Sequence, residues 1–183
     1  MGIDLICTWP DSLDYPIFRQ FLQNHRAKFG KILIPIMKTN RQNGFSYIPF
    51  LKEAFQDLDI ELVEDYEIKD DWRDAAVNAA LDRSTSSHVW FTEQDFFIKN
   101  ADSFFNKILD GTRMTDFIVF RDNLRFHPAC MVVSRQLINK TSRNFGIEKD
   151  KSDHFAAFAE ECVTIMSVNP TKNRIYALQE LGL

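Results

Sequence analysis

The sequence predicts an α/β architecture, a three-layer α/β/α sandwich around a mostly parallel central sheet. Three observations carry this. Short apolar runs alternate with longer stretches at helical spacing, giving the order β-α-β-α-β-α-β up to Phe97, which implies parallel strands joined by right-handed crossovers. The run Val89-Trp90-Phe91 lacks polar alternation, as a central strand buried on both faces should. Finally, 183 residues, 45% hydrophobic and with 17 Phe, supply enough apolar surface for one sizeable core.

Ile3-Asp4-Leu5-Ile6-Cys7 is the first strand, and Thr8-Trp9-Pro10-Asp11 is its exit loop. Tyr15-Pro16 opens a helix, because Pro is tolerated in a first turn. Ile17, Phe18, Phe21, Leu22 and Phe29 give that helix an apolar stripe, and Gly30 ends it. Residues 31–36 form the second strand, and the polar loop from Lys38 to Gly44 follows. Lys38 or Arg41 could reach a diphosphate from there; an ordinary solvated loop fits the same residues. Residues 46–58 are helical, with Ile48, Leu51, Phe55 and Leu58 on one face, and residues 60–63 are the third strand.

An alanine-rich helix comes next, capped by Asp70 or Asp71. Small residues at 75, 76, 79 and 80 let it lie close to a sheet. After the strand Val89–Phe91, Glu93 and Asp95 leave on one side of the chain, since side chains two apart in an extended segment share a side. A short helix from Asp102 to Leu109, closed by Gly111, precedes a strand at 116–120. Residues 127–135 read as a strand entering a small helix capped by Ser134, and Asn144-Phe145-Gly146 as a turn. Ser152-Asp153-His154 opens a helix with Phe155, Phe158, Ala159 and Cys162 on its apolar side. In the tail, Ile175, Leu178 and Leu181 stand at helical spacing.

Two carboxylates at a strand's exit suit a hard divalent cation, which favours oxygen ligands and keeps positions for water or phosphate. A solvated turn accounts for an isolated E-x-D equally well. The run Ala75-Ala76-Val77-Asn78-Ala79-Ala80-Leu81 followed by Trp90-Phe91-Thr92-Glu93-Gln94-Asp95 resembles the heart of GT-A-fold, family 2-like nucleotide-sugar glycosyltransferases. Those enzymes carry an Arg-Asn helix, a strand and a D-x-D metal motif in this order. Glu93 stands where the first Asp would be, Asn78 matches the helix Asn, and Val77 replaces its Arg. Arg73, one turn earlier, is the substitute on offer. Independently of the resemblance, Asp74, Asn78 and Asp82 form an i, i+4 series that reads as a wet helix face.

The resemblance implies a single GT-A-like domain over 1–183, with residues 1–97 binding the nucleotide sugar and 98–183 forming the acceptor side. It implies that Glu93, Asp95 and a late His, His127 or by preference His154, hold Mn²⁺ or Mg²⁺; ordinary hydrogen bonding is the other reading of either His. Thr8, Trp9 and Asp11 would line the nucleotide, with Trp9 on the base and Asp11 on the ribose; core cover and a turn are their alternatives. Arg73, Asn78 and Glu93 complete the expected donor contacts. Asp153 is the positional match for a general base, with Glu160 and Glu161 behind it, and helix capping is its other reading.

The expected activity is therefore metal-dependent sugar transfer from a nucleoside-diphosphate sugar, a UDP-sugar by preference. The acceptor would be a glycan, a small molecule or a modified nucleobase. The alternative is a non-catalytic GT-A-like domain that binds a nucleotide or a partner. Nucleotidyl transfer in the same fold neighbourhood uses a Gly-rich loop after the first strand, and Thr8-Trp9-Pro10-Asp11-Ser12 has no Gly. A net charge of −4 argues against a broad nucleic-acid surface. Three scattered cysteines fit free thiols in a cytoplasmic setting, and no apolar run is long enough for a membrane span. The short acceptor half leaves room for a second copy of the chain.

Overall fold

One seven-stranded sheet runs through the computed structural model, which describes residues 2–8, 15–36, 48–67, 72–93, 101–121, 126–146, 155–167 and 176–178. The strands are β1 (Ile3–Thr8), β2 (Ile32–Pro35), β3 (Glu61–Val63), β4 (His88–Glu93), β5 (Phe117–Arg121), β6 (Phe126–Ser134) and β7 (Tyr176–Leu178). The helices are α1 (Tyr15–His25), α2 (Ile48–Phe55), α3 (Trp72–Arg83), α4 (Ala101–Met114), α5 (Arg135–Ile138) and α6 (Ala156–Ser167). Spatial order is β3-β2-β1-β4-β6-β5-β7, and only β6 runs against the others. The expected mostly parallel sheet is present.

Alternate residues of each strand serve two separate cores, because successive side chains point to opposite faces. On one face Leu5, Ile34, Trp90, Ile118 and Val132 meet Phe18 and Leu22 of α1, Leu51 and Phe55 of α2, and Phe104, Phe105 and Ile108 of α4. On the other, Ile6, Leu33, Phe91, Val119 and Val133 meet Val77, Ala80 and Leu81 of α3, Leu137 and Ile138 of α5, and Phe158 and Cys162 of α6. Helices thus cover both faces, completing three layers. The absence of alternation in Val89–Phe91 is explained: Trp90 faces one core while Val89 and Phe91 face the other.

Four details depart from the sequence reading. Helix α1 stops at His25 and gives way to a 3-10 turn over Arg26–Lys28, so Phe29 lies beyond the helix in extended backbone, though still in the core. Helix α2 ends at Phe55, and Leu58 packs on the core from the turn after it. Gly111 does not end α4, which continues to Met114 with Gly111 and Thr112 buried along the sheet-facing side. The tail is not helical at 176–178: it adds β7 beside β5, pairing Ile118 with Tyr176 and Phe120 with Leu178. The unpaired backbone groups of an edge strand outweigh a three-residue apolar spacing that fits either conformation.

At the amino ends of the strands the Asp4 carboxylate is completely buried. It accepts from the backbone of Lys31 (2.7 Å), Thr85 (2.7 Å) and Ser86 (2.9 Å) and from the hydroxyls of Ser84 (2.7 Å) and Ser86 (2.6 Å). Arg135 adds a second layer by donating to Ser84 Oγ at 2.5 Å and to the Leu81 carbonyl at 3.2 Å. Burial alone would raise the Asp4 pKa, but these hydrogen bonds prevail and hold it down at about 2. Gly30 is tied to the same cluster: a Cβ there would stand 2.5 Å from Asp4 Oδ1 and 2.7 Å from Ser86 Oγ.

Asp4→Asn should therefore cost about 3 kcal/mol at neutral pH, by opposing a second donor to groups that all donate. Because the folded pKa lies below the ordinary 3.8, the carboxylate's stabilisation is complete above about pH 5 and fades as pH falls towards 2. Urea unfolding of both proteins at pH 7 and pH 2.5 checks this. A gap between them that does not narrow in acid contradicts it.

Candidate functional site

Strand order reverses at β1: β2 and β3 lie to one side of it, β4 to the other. The connecting helices switch faces accordingly, α1 and α2 on one and α3 on the opposite one. Such a reversal opens a crevice outside the strand carboxyl ends, where open α/β sheets bind ligands. The parallel register pairs Cys7 with Thr92 and Thr8 with Glu93, so the last residues of β1 and β4 leave the sheet side by side.

Thr8 is buried, with its hydroxyl donating to the Thr92 carbonyl at 3.4 Å. Glu93 is partly exposed. It shares a face of β4 with Phe91, whose ring packs on Phe155 with centroids 5.8 Å apart. Phe155 directly follows Asp153 and His154 in sequence and precedes α6. The helix therefore begins at Ala156, later than its sequence suggests, and Phe155 carries a φ of 67° before it. Arg73 lies in the first turn of α3, the end of that helix nearest the strand exits. Trp9, Asp11, Asp95, Asp153 and His154 lie outside the described residues, as does the loop with Lys38 and Arg41. Among the described residues, no three His, Cys, Asp or Glu side chains come together as a metal-holding group.

Asn78 has a different setting from a donor contact. Its amide donates to the Asp74 backbone carbonyl (3.0 Å), to Asp74 Oδ1 (3.2 Å) and to the Arg143 carbonyl (3.1 Å). Asp74 Oδ1 also accepts from the Phe145 amide at 2.8 Å, and Asp82 pairs with the Arg143 guanidinium at 2.9 Å. The Asp74–Asn78–Asp82 series is thus a rail that grips residues 143–145, half-buried at Asp74 and Asn78 and open to water at Asp82. From the other side Glu161 of α6 accepts from Ser142 through its amide (2.9 Å) and hydroxyl (2.7 Å). Sequence reading found the series but not its partner, because a polar i, i+4 row looks the same whether water or a loop satisfies it.

Two histidines and two cysteines sit within or against the cores. His88 has Nδ1 3.1 Å from Ser87 Oγ; burial keeps its pKa below the ordinary value against the pull of Asp116. His25 is likewise lowered by burial and packs between Phe21 and Phe105, each ring 5.1 Å away. Cys7 and Cys162 are buried thiols outside any disulfide, and burial with Glu161 nearby pushes the Cys162 thiol up to about 12.

Compared with solved structures, the chain resembles a mannosyltransferase from Pyrobaculum calidifontis in complex with GDP-Man and Mn²⁺. The TM-score is 0.62 at 17% identity, covering 96% of this chain and 54% of the other. TarS from S. aureus gives 0.58 at 13% identity, covering 98% and 58%. The 4-diphosphocytidyl-2C-methyl-D-erythritol synthase from Anaerococcus prevotii gives 0.61 at 10% identity, covering 97% and 88%. The chain has the nucleotide-diphospho-sugar transferase fold. It spans little more than half of the mannosyltransferase and TarS chains, and most of the synthase. Neither family models nor curated sequences give a match. No helix among the described residues is long and apolar enough to cross a membrane.

The positive φ at Phe155 has a measurable consequence. Phe155→Ala should destabilise by about 4 kcal/mol through loss of a fully buried ring. Phe155→Gly loses the same ring but relieves the left-handed backbone, so it should be more stable than Phe155→Ala by about 1 kcal/mol. Denaturation of the two variants side by side decides it; an alanine variant as stable as the glycine one contradicts the assigned backbone.

Proposed function

We propose that the chain transfers a sugar from a nucleoside-diphosphate sugar to an acceptor hydroxyl, with a divalent cation held at Glu93-Gln94-Asp95. The observation that carries this is the register Thr8–Glu93 at the reversal of strand order, which sets the last residues of β1 and β4 side by side where open α/β sheets bind ligands. The fold supports it, and so do the ligands in solved structures of that fold: the nucleotide sugar GDP-Man with Mn²⁺ in the mannosyltransferase, and UDP or the nucleotide sugar UDP-GlcNAc in TarS. A partly exposed carboxylate at the crevice is the right chemistry for a hard cation.

In this reading Glu93, Asp95 and His154 hold Mn²⁺ or Mg²⁺, and the bound ion supplies Lewis-acid neutralisation of the leaving diphosphate. Thr8, Trp9 and Asp11 line the base and ribose, and Arg73 offers positive charge at the strand exits. Asp153 takes the proton from the acceptor hydroxyl as its oxygen bonds the anomeric carbon and the nucleoside diphosphate departs. Asn78 is left out of the donor contacts because its amide hydrogens are committed to the scaffold. Residues 1–97 then serve the donor and 98–183 the acceptor, in a cytoplasmic setting consistent with buried thiols outside any disulfide.

A second reading, nucleotidyl transfer, draws on one observation: the chain covers 88% of the synthase but only 54% of the mannosyltransferase. Against it stands the Gly-free stretch Thr8–Ser12. Release of pyrophosphate from a nucleoside triphosphate, in place of UDP from a UDP-sugar, would select that chemistry.

Calorimetry with UDP should give at least about tenfold tighter binding with Mn²⁺ than without, and Glu93→Gln should remove the gain. Asp153→Asn should leave UDP affinity within about twofold while lowering UDP-sugar hydrolysis by about 100-fold. Metal-independent UDP binding without turnover would identify a non-catalytic nucleotide-binding domain instead.

A further inference from the structure

We propose that Asp74 and Asn78 of α3 are positioning residues: through residues 143–145 they fix Phe155, the residue that leads into α6. This deepens the reading above and rests on it, because Asp153 and His154 immediately precede Phe155. The path is continuous and short. Asp74 holds the Phe145 amide and Asn78 holds the Arg143 carbonyl. The Phe145 ring then packs on Phe155 (centroids 5.6 Å), Phe91 (5.4 Å) and Phe158 (4.5 Å). Phe91 is two residues before Glu93, so one ring cluster joins the start of α6 to the acidic end of β4.

Two features set this brace apart from ordinary packing. Arg143 and Phe155, one at each end of it, both hold left-handed backbone, with φ of 56° and 67°. Side chains larger than glycine persist there only where their surroundings over-determine the conformation, and such residues concentrate at functional sites. The gripping groups are also polar and only partly buried, from α3 on one side and Glu161 on the other. Hydrogen bonds of that kind add modest stability but impose direction. An apolar contact would hold the loop against α3 without selecting one angle of entry into α6.

Asn78→Ala and Asp74→Ala test this against Leu22→Ala, a fully buried residue in the opposite core that lowers the melting temperature without touching the brace. In the ligand-free protein, amide hydrogen exchange should accelerate about tenfold over residues 143–145 and 155–159 in both brace variants. It should stay within about twofold over 3–8 and 88–93, and Leu22→Ala should not reproduce this pattern. With UDP-glucose and Mn²⁺, hydrolysis should fall about tenfold in kcat while the UDP–Mn²⁺ Kd stays within about twofold. Unchanged exchange at 155–159 overturns the brace whatever the chemistry. Faster exchange there with wild-type kcat overturns the positioning role. If the wild-type protein itself shows neither UDP–Mn²⁺ binding nor hydrolysis, the reading of the site fails and the positioning role falls with it, a result distinguished by its presence before any substitution.

Discussion

Everything at the carboxyl ends of the sheet depends on a carboxylate buried at the opposite ends. Asp4 gathers donors from the beginning of β2 and from the turn that leads into β4. It thereby fixes where β4 starts relative to β1, and the parallel ladder carries that register from Ile3–His88 to Thr8–Glu93. A slip of one residue would exchange the faces of every side chain on β4. Trp90 would leave the aromatic layer it forms with Phe29, Phe104 and Phe105, and Phe91 would leave the cluster under α6. Register at this sheet is thus set by a polar knot and enforced by two apolar cores.

Those cores differ in kind. The α1–α2–α4 side is closed by stacked rings, Phe21 lying nearly parallel to Phe105 with centroids 6.0 Å apart and edge-on to Trp90. Ion pairs such as Lys28–Asp102 cross its surface, exposed enough to contribute little. The α3–α5–α6 side combines rings with a polar brace. Alanines let α3 approach the sheet closely, and its neighbouring row of Asp74, Asn78 and Asp82 turns sideways to residues 143–145. That asymmetry leaves one face closed mainly by ring packing and gives the other a directed polar connection between α3 and the start of α6.

Much of this is legible in the residues. Strand and helix alternation, the burial of Val89–Phe91 on two faces and the Ser134 cap of α5 follow from local chemistry. Ser134 Oγ indeed accepts from Leu137 N at 3.1 Å. What escapes is whatever depends on a distant partner. The row on α3 carries no mark of the loop it holds, since hydrogen-bonding capacity does not name its partner. Gly111 suggests a helix end, yet α4 continues past it to Met114 with Thr112 buried. Residues 176–178 suit a helix by spacing and become a strand because β5 offers an open edge. The acid pair of the sequence remains half described, with Glu93 at the crevice and Asp95 outside the described residues.

The left-handed residues sharpen the link between packing and site. A non-glycine residue in that region costs about 1–2 kcal/mol relative to ordinary backbone. Burying a Phe ring contributes about 2–3 kcal/mol, and an aromatic pair adds about 1 kcal/mol more. Phe155 is almost wholly buried and meets both Phe91 and Phe145, so its packing outweighs its backbone cost by a small margin. Arg143 has no such ring; its conformation is held by Asn78, Asp82 and Asn139 together. The start of α6 is consequently sustained by contacts reaching it from α3 and β4, while its own first turn lacks an acidic residue to stabilise it. A helix start held from outside responds to those outside elements, which is why the conformation of Phe155 is a property of the whole α3–β4–α6 face.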